Sequence, residues 1–122
     1  MPIKFTVDDA QNIVFAVGSG AVTTQEIIAT PREINAPDFR GRLYNRLVDF
    51  RNVTGLQVSN EETATIAHHQ DASELPEKIA MVTNADLHFG LARMVEGQTR
   101  KDVMRIFRDM EKARKWLSLP PF

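Results

Sequence analysis

The spacing of apolar residues divides the chain into alternating strands and helices. Ile3, Phe5 and Val7 alternate with polar residues and residues 13–17 are continuously apolar, which predicts an antiparallel hairpin. Residues 18–20, Gly-Ser-Gly, are then expected to turn the chain into a short helix over residues 24–30, capped by Thr23 or Thr24. Residues 31–42 contain two prolines, which predicts an exposed connection, and Phe39 within it is predicted to contact the core.

The stretch from Leu47 to Ala67 is predicted to form the centre of the fold. A buried strand is expected over residues 43–51, because Leu47, Val48 and Phe50 form a short apolar run in which Asp49 is the one charged residue. Asn52 and Gly55 favour a turn after it. Ser59 and Glu62 match the capping box S-x-x-E, which predicts a helix that starts there and ends near residue 70 or 71.

The second half repeats the same alternation twice. Residues 78–83 predict a strand, and a helix capped by Asn84 or Asp86 follows and stops at Gly97. Residues 103–107 predict the last strand, and Asp109 opens a final helix that ends at Pro120-Pro121. The side chains predicted to face the core from these two helices are Leu87, Leu91, Met94, Val95, Met110, Ala113, Trp116 and Leu117.

The resulting order of elements is ββαβαβαβα, which predicts an α/β fold. Strands that alternate with helices pair in parallel through crossovers, so only the first strand should run antiparallel. We therefore expect a mixed, mostly parallel sheet of four or five strands with about four helices. The length of 122 residues suits a single domain over residues 1–122.

Composition narrows the function classes. With 43% hydrophobic and 25% charged residues the sequence is that of an ordinary globular protein, and it contains no apolar run long enough for a membrane span. The first residues do not resemble a secretory signal, so we expect a cytoplasmic protein without membrane insertion. The absence of cysteine excludes disulfides, thiol catalysis and cysteine-ligated metals.

Charge is balanced overall and uneven locally. The formal net charge of −1 gives no general attraction to nucleic acid. Residues 93–115 nevertheless carry a net charge of +4 and residues 61–86 a net charge of −5. Two solvated helix faces explain this pattern, and so does a protein with a basic and an acidic side that associates with itself or with a charged protein.

One segment carries a family resemblance. The pattern LVDFRNV-TGLQVSNEE resembles the strand, loop and helix at the centre of STAS domains, the family of anti-sigma-factor antagonists and sulfate-transporter tails. The segments KIAMVTNADLHFGLARM and IFRDMEKARKWL are similar to those of small bacterial STAS-like proteins. The resemblance covers roughly residues 10–118, and it implies a mixed sheet with helices and a role in protein–protein regulation or small-ligand binding, without catalysis.

The resemblance also locates the usual switch of the family. Regulatory STAS domains are phosphorylated on the first serine of an Asp-Ser-Ser-Gly motif, and an ungapped match places Val58 at that serine and Ser59 at the second. The usual phosphoacceptor is therefore missing, although a one-residue slip would make Ser59 the acceptor. Because the capping box already explains Ser59, and Glu61 and Glu62 would repel a phosphate, we expect the cap and not the switch.

Side chains that could carry chemistry are few. His68 and His69 are adjacent and point about 100° apart on a helix, so they cannot share a metal. A nucleophile elbow is absent from the sequence, and Asp49 is expected to pair with Arg51 or Arg46. Trp116 is interpreted as a core side chain because of its aromatic bulk, and the alternative is an anchor in an interface. We expect no catalytic residue, cofactor or metal.

These observations favour a non-catalytic interaction domain that binds a second copy of itself, as a homodimer, or another protein. The alternative is a carrier of a small apolar or anionic, lipid-like ligand held between helices and sheet. The predicted partner or switch surface consists of Asn52, Thr54, Gln57, Ser59 and Glu62. The predicted ligand-binding residues are Asn84, His88 and Arg93.

Overall fold

The computed structural model describes residues 3–29, 44–72, 78–99 and 102–119. Within them the order is ββαβαβαβα, which confirms the prediction. The elements are β1 (Ile3–Asp8), β2 (Ile13–Thr23), α1 (Thr24–Ile28), β3 (Asn45–Gln57), α2 (Asn60–Ala72), β4 (Ile79–Val82), α3 (Asp86–Gln98), β5 (Met104–Phe107) and α4 (Met110–Trp116). The predicted connection over residues 31–42 with Phe39, and the stop at Pro120-Pro121, lie outside the described residues.

The strands form one sheet in the order β1-β2-β3-β4-β5. β1 pairs with β2 antiparallel, and every other neighbouring pair is parallel. This topology confirms the mixed, mostly parallel sheet. It follows from the chain itself, because a short turn can only join antiparallel strands, whereas each parallel pair needs a crossover of a dozen or more residues.

Each face of the sheet has its own apolar core. Ile79 and Met81 of β4 join one cluster, which contains side chains of α1, α2 and α3. Ala80 and Val82 join the other, which contains side chains of α4. This alternation places three helices on one face of the sheet and α4 on the other.

β2 is longer than its sequence suggests. The prediction that residues 18–20 form a turn is wrong, because β2 continues through them to Thr23. The strand absorbs the glycines as irregularities in its pairing with β3, between Val17 and Ser19 and between Gly20 and Ala21, and Gly20 has a φ of 66°. Glycine accepts such a left-handed bulge conformation without strain.

β3 also runs past its predicted end. The predicted turn at Asn52 and Gly55 is wrong, since the strand continues to Gln57 and keeps pairing with β2 until Thr23 lies opposite Gln57. Turn-forming residues are overridden here because a neighbouring strand satisfies the backbone on one side along the whole length.

Helix α3 faces the core with a different side from the predicted one. Leu91 and Val95 are buried as predicted, but their buried neighbours are His88 and Ala92. Leu87 is 71% exposed and Met94 is 39% exposed, so the inward prediction is wrong for both. The helix also continues past Gly97 to Gln98.

The helix caps follow the sequence in most cases. Thr23 and Glu26 form a capping box at α1, and the Asp109 carboxylate accepts a hydrogen bond from the backbone of Glu111 at α4. The prediction of Asn84 or Asp86 as the cap of α3 is wrong, because Ala85 occupies that position.

Helix α4 buries Met110, Ala113 and Leu117, as predicted. Trp116 is only half-buried, and its ring is tilted against Phe107 with centroids 5.9 Å apart. Trp116 is therefore a partly covered neighbour of the core and not a plug within it.

Candidate functional site

The predicted partner surface lies on a part of the sheet that extends beyond its neighbours. The pairing of β1 with β2 stops at Gly18, and the pairing of β4 with β3 stops at Asp49. From there β2 and β3 continue as a two-stranded parallel ribbon to Thr23 and Gln57. We call residues 51–57 of β3 together with residues 59–62 the ribbon surface.

The structure places all five predicted partner residues on the ribbon surface. Asn52, Thr54 and Gln57 are exposed along β3, Ser59 is exposed at the start of α2, and Glu62 is partly exposed one turn later. Between them Val53 and Val58 are buried and hold the segment on the core. The surface is thus polar outside and anchored by apolar side chains beneath.

The predicted capping box at α2 is present. Ser59 N–H donates to Glu62 Oε1 over 2.9 Å, and the backbone N–H of Glu62 donates to Ser59 Oγ over 3.2 Å. Hydrogen bonds from the backbone and side chain of Ser59 lower the pKa of Glu62. The carboxylate is thereby held charged at the helix N-terminus, where a negative charge is favourable.

Asp49 pairs with Arg51, one of the two predicted partners. The guanidinium contacts the carboxylate with both Nε and Nη2 at 2.9 Å, and the backbone N–H of Arg51 adds a third hydrogen bond at 3.1 Å. Partial burial acts to raise the pKa of Asp49, but the hydrogen bonds and charge of Arg51 outweigh it and the pKa is lowered. Arg46, the other predicted partner, has its pKa lowered to about 10 by burial.

Replacing Arg51 by glutamine is expected to raise the pKa of Asp49. The ion pair is lost and only the backbone N–H of residue 51 still opposes the effect of partial burial, so the pKa should rise toward the ordinary value of about 3.9. In the wild type the lowered pKa contributes stability above that value, and the contribution is lost as the pH falls through the folded pKa. Carbon-detected NMR titration of Asp49 in both proteins measures the shift, and an unchanged pKa in Arg51→Gln would contradict the pairing.

The three predicted ligand-binding residues are not brought together. Asn84 is exposed, and its carbonyl oxygen accepts a hydrogen bond from Arg108 Nη1 at 2.8 Å. Arg93 is exposed and its Nε lies 2.8 Å from Glu96 Oε1. His88 is buried at 7% exposure, and five residues along a helix place it about 140° around the axis from Arg93.

His88 lies in the first turn of α3, and Thr83 directly follows β4 in the chain. Nδ1 of His88 has no hydrogen-bond partner among the described residues, and neither does Oγ1 of the fully buried Thr83. Such atoms are normally satisfied, often by an ordered water.

Sequence reasoning missed Arg108. Its guanidinium binds the Asn84 carbonyl, forms an ion pair with Asp86 at 2.8 Å and lies 4.2 Å from the centre of the Phe89 ring. It thereby joins the end of β5 to the start of α3. The available signal was its position immediately after the last apolar strand, at the sheet end where α/β folds place functional groups.

An apolar cavity lies between the sheet and the helices of the three-helix face. Its volume is about 70 Å³. Its walls are Ile27, Val48, Phe50, Leu56, Val58, Ile66, Ile79, Met81, Leu91, Val95 and Met104. This is the place where the predicted apolar ligand would lie, and neither Arg93 nor Asn84 is part of the wall.

Two features are absent from the part of the chain that the structure describes. No group of three or more His, Cys, Asp or Glu side chains in these residues is arranged to hold a metal ion. No helix in them is both long and apolar enough to cross a membrane.

Comparisons with known proteins agree with this architecture. No family model matches the chain, and no curated protein matches it in sequence. Solved structures do match, among them an uncharacterised protein of the DUF3478 family with a SpoIIAA-like fold from Shewanella loihica PV-4. The match covers 94% of this chain and 91% of that one, with a TM-score of 0.57 and 15% sequence identity. The chain therefore has the SpoIIAA-like fold, which is the STAS fold that its sequence predicts.

Proposed function

We propose that this protein is a non-catalytic STAS-like domain that acts through protein contacts, and that the ribbon surface binds its partner. The observation that supports this is the extension of β2 and β3 beyond both neighbouring strands. It presents exposed polar side chains on a strand segment that pairs with β2 and is anchored on the core by the buried Val53 and Val58. Residues on rigid elements lose little conformational freedom on binding, which favours recognition of a folded or extended partner.

The role of Ser59 in this proposal is structural. Its hydroxyl caps α2 by accepting a hydrogen bond from the backbone of Glu62, and the Glu62 carboxylate accepts one from the backbone of Ser59 in return. A phosphate on Ser59 would meet that carboxylate and the exposed Glu61. The partner is thus bound without the phosphorylation switch of regulatory relatives, and incubation with a kinase-containing lysate should leave Ser59 unmodified.

The test compares two double variants of tagged protein. Asn52→Ala with Gln57→Ala removes two exposed side chains from the ribbon surface, while Glu111→Ala with Lys112→Ala removes two from the exposed side of α4. A partner isolated with the wild type and then purified is titrated calorimetrically against each. We expect about tenfold weaker binding for the ribbon variant and unchanged binding for the α4 variant. Equal binding by both variants would refute the assignment of the ribbon surface.

A carrier of a small apolar ligand is the second candidate, and the cavity favours it. Its walls are entirely apolar, but its volume of about 70 Å³ is well below the roughly 300–1,000 Å³ of typical ligand pockets. A lipid-like molecule would require the helices to move apart, which ranks this function second. Native mass spectrometry of freshly purified protein decides between the two, because a retained small molecule supports the carrier.

A further inference from the structure

Helix α3 exposes a stripe of apolar and small residues that its own fold leaves uncovered. The stripe consists of Leu87, Gly90, Met94 and Gly97, which follow one another at intervals of three and four residues. All four are exposed, with Leu87 at 71% and Met94 at 39%. This is the spacing of the a and d positions at which one helix packs along another.

The fold of the chain does not account for the two glycines in this stripe. A Cβ atom built on Gly90 or Gly97 meets no atom of another described segment within 4 Å, so no neighbour among the described residues keeps either position small. Glycine is also among the poorest helix formers because of its backbone entropy. Single exposed apolar residues are common on protein surfaces, but here large and small residues alternate along one line.

The alternation makes the stripe complementary to itself. When two copies of α3 are placed antiparallel along their exposed stripes, with a twofold axis between them at the height of residue 92, Leu87 of each copy lies over Gly97 of the other, and Met94 lies over Gly90. Each large side chain then fills the space left by a missing one, and the glycines allow the two backbones to approach closely. A parallel arrangement in register would instead stack leucine on leucine and glycine on glycine.

Charges beside the stripe do not oppose this contact. Asp86 is neutralised by Arg108 at 2.8 Å, and Arg93 is neutralised by Glu96 at 2.8 Å, all within one chain. No ion pair has to be broken to bring two stripes together. Buried unpaired charge, the usual obstacle to an apolar contact, is therefore avoided.

We propose that α3 is the surface through which two copies of this chain associate, as an antiparallel helix pair about a twofold axis. The inference goes beyond the proposed function, because it assigns a second copy of the chain to a surface other than the ribbon surface. A twofold contact of this kind is closed, so association stops at the dimer.

The size of the contact sets its strength. The 13 residues of α3 extend about 20 Å, so one helix pair buries less than the roughly 800 Å² per partner of a standard stable interface. The dimer is therefore expected to form reversibly with a Kd in the micromolar range or weaker, and sedimentation velocity over a wide concentration range measures it.

Two substitutions on α3 test the surface against a matched control. Leu87→Lys is expected to raise the Kd by about tenfold or more, while Val7→Lys, at a site 42% exposed on β1, should change it less than about twofold. Gly90→Ala should raise the Tm of the monomer, because alanine favours the helix more than glycine does. It should also raise the Kd of the dimer, because the added methyl group fills the space that Met94 of the other copy occupies. A wild type that stays monomeric at about 1 mM, or a dimer that Leu87→Lys does not weaken, would overturn the proposal.

Disulfide trapping tests the antiparallel arrangement. The chain has no cysteine, so Gly90→Cys and Met94→Cys each introduce a single thiol. On oxidation of an equimolar mixture we expect disulfides that join a Gly90→Cys chain to a Met94→Cys chain to form faster than disulfides that join two chains of the same variant. If disulfides between chains of the same variant predominate, the antiparallel arrangement is wrong. The α3 variants leave the ribbon surface intact, so they can lose dimerisation and still bind another protein. The ribbon variant leaves α3 intact, so it can lose the partner and still form the dimer.

Discussion

Replacing Gly18 by alanine is expected to lower the free energy of unfolding by about 2–3 kcal/mol. A Cβ at this position would lie 2.6 Å from both Cδ1 and Cε1 of Phe50 and 3.1 Å from Cγ2 of Val53. The Phe50 ring is 4% exposed, so it can move away from an added Cβ only into the small apolar cavity that it lines or by displacing other core side chains. Urea unfolding followed by circular dichroism gives the difference.

Gly55→Ala provides the control for this substitution. Gly55 lies in the neighbouring strand β3, and a Cβ there meets no atom of the described residues within 4 Å. We expect the stability to change by no more than about 0.5 kcal/mol. If both variants lose the same stability, the close approach of Gly18 to Phe50 is not the reason that glycine occupies position 18.

Replacing Leu47 by alanine is expected to cost about 3 kcal/mol, within the usual range for buried leucine. Leu47 is 2% exposed, lies between Phe15 of β2 and Ala80 of β4 in the sheet, and belongs to the core beneath α4. The substitution removes buried apolar surface and leaves a cavity in the central strand. Thermal and chemical unfolding should both register the loss.

The matched control lies on the same face of the sheet. Val17 lies opposite Asp49 in the β2–β3 pairing and is 43% exposed, so Val17→Ala removes side-chain atoms that are only partly buried. Its expected cost is below about 1 kcal/mol. An equal cost for the two substitutions would show that the α4 face of the sheet is not the packed core described for Leu47.

The two proposed surfaces lie on different elements, and this separation matters for experiments. The ribbon surface belongs to β3 and the start of α2, whereas the dimer stripe belongs to the exposed side of α3. A variant of one surface can therefore be used as a folded, otherwise intact protein to study the other. Weak dimerisation would also give a partner two ribbon surfaces at once, which raises the effective affinity for a partner with two binding sites.

The sequence by itself determined the order of elements and the resulting sheet. Apolar spacing and helix-capping residues together predicted every strand and helix among the described residues, because buried strands and amphipathic helices need different periods of hydrophobicity. The helix caps at Ser59 and Asp109 could also be predicted from the sequence. Their hydrogen bonds, Ser59 with Glu62 and Asp109 with Glu111, join residues only two or three positions apart. Such interactions depend on neighbours in the chain alone.

Only the tertiary structure decided where β2 and β3 end and which side of α3 faces the core. Asn52 and Gly55 favour turns locally, yet long-range pairing between the two strands holds them in β3, and Gly20 is accommodated in β2 as a left-handed irregularity. The sequence of α3 allowed an apolar face through Leu87 and Met94 or one through His88 and Ala92, since Leu91 and Val95 belong to both. Packing against the sheet selected the second, and the exposed stripe on which the dimer proposal rests is the consequence.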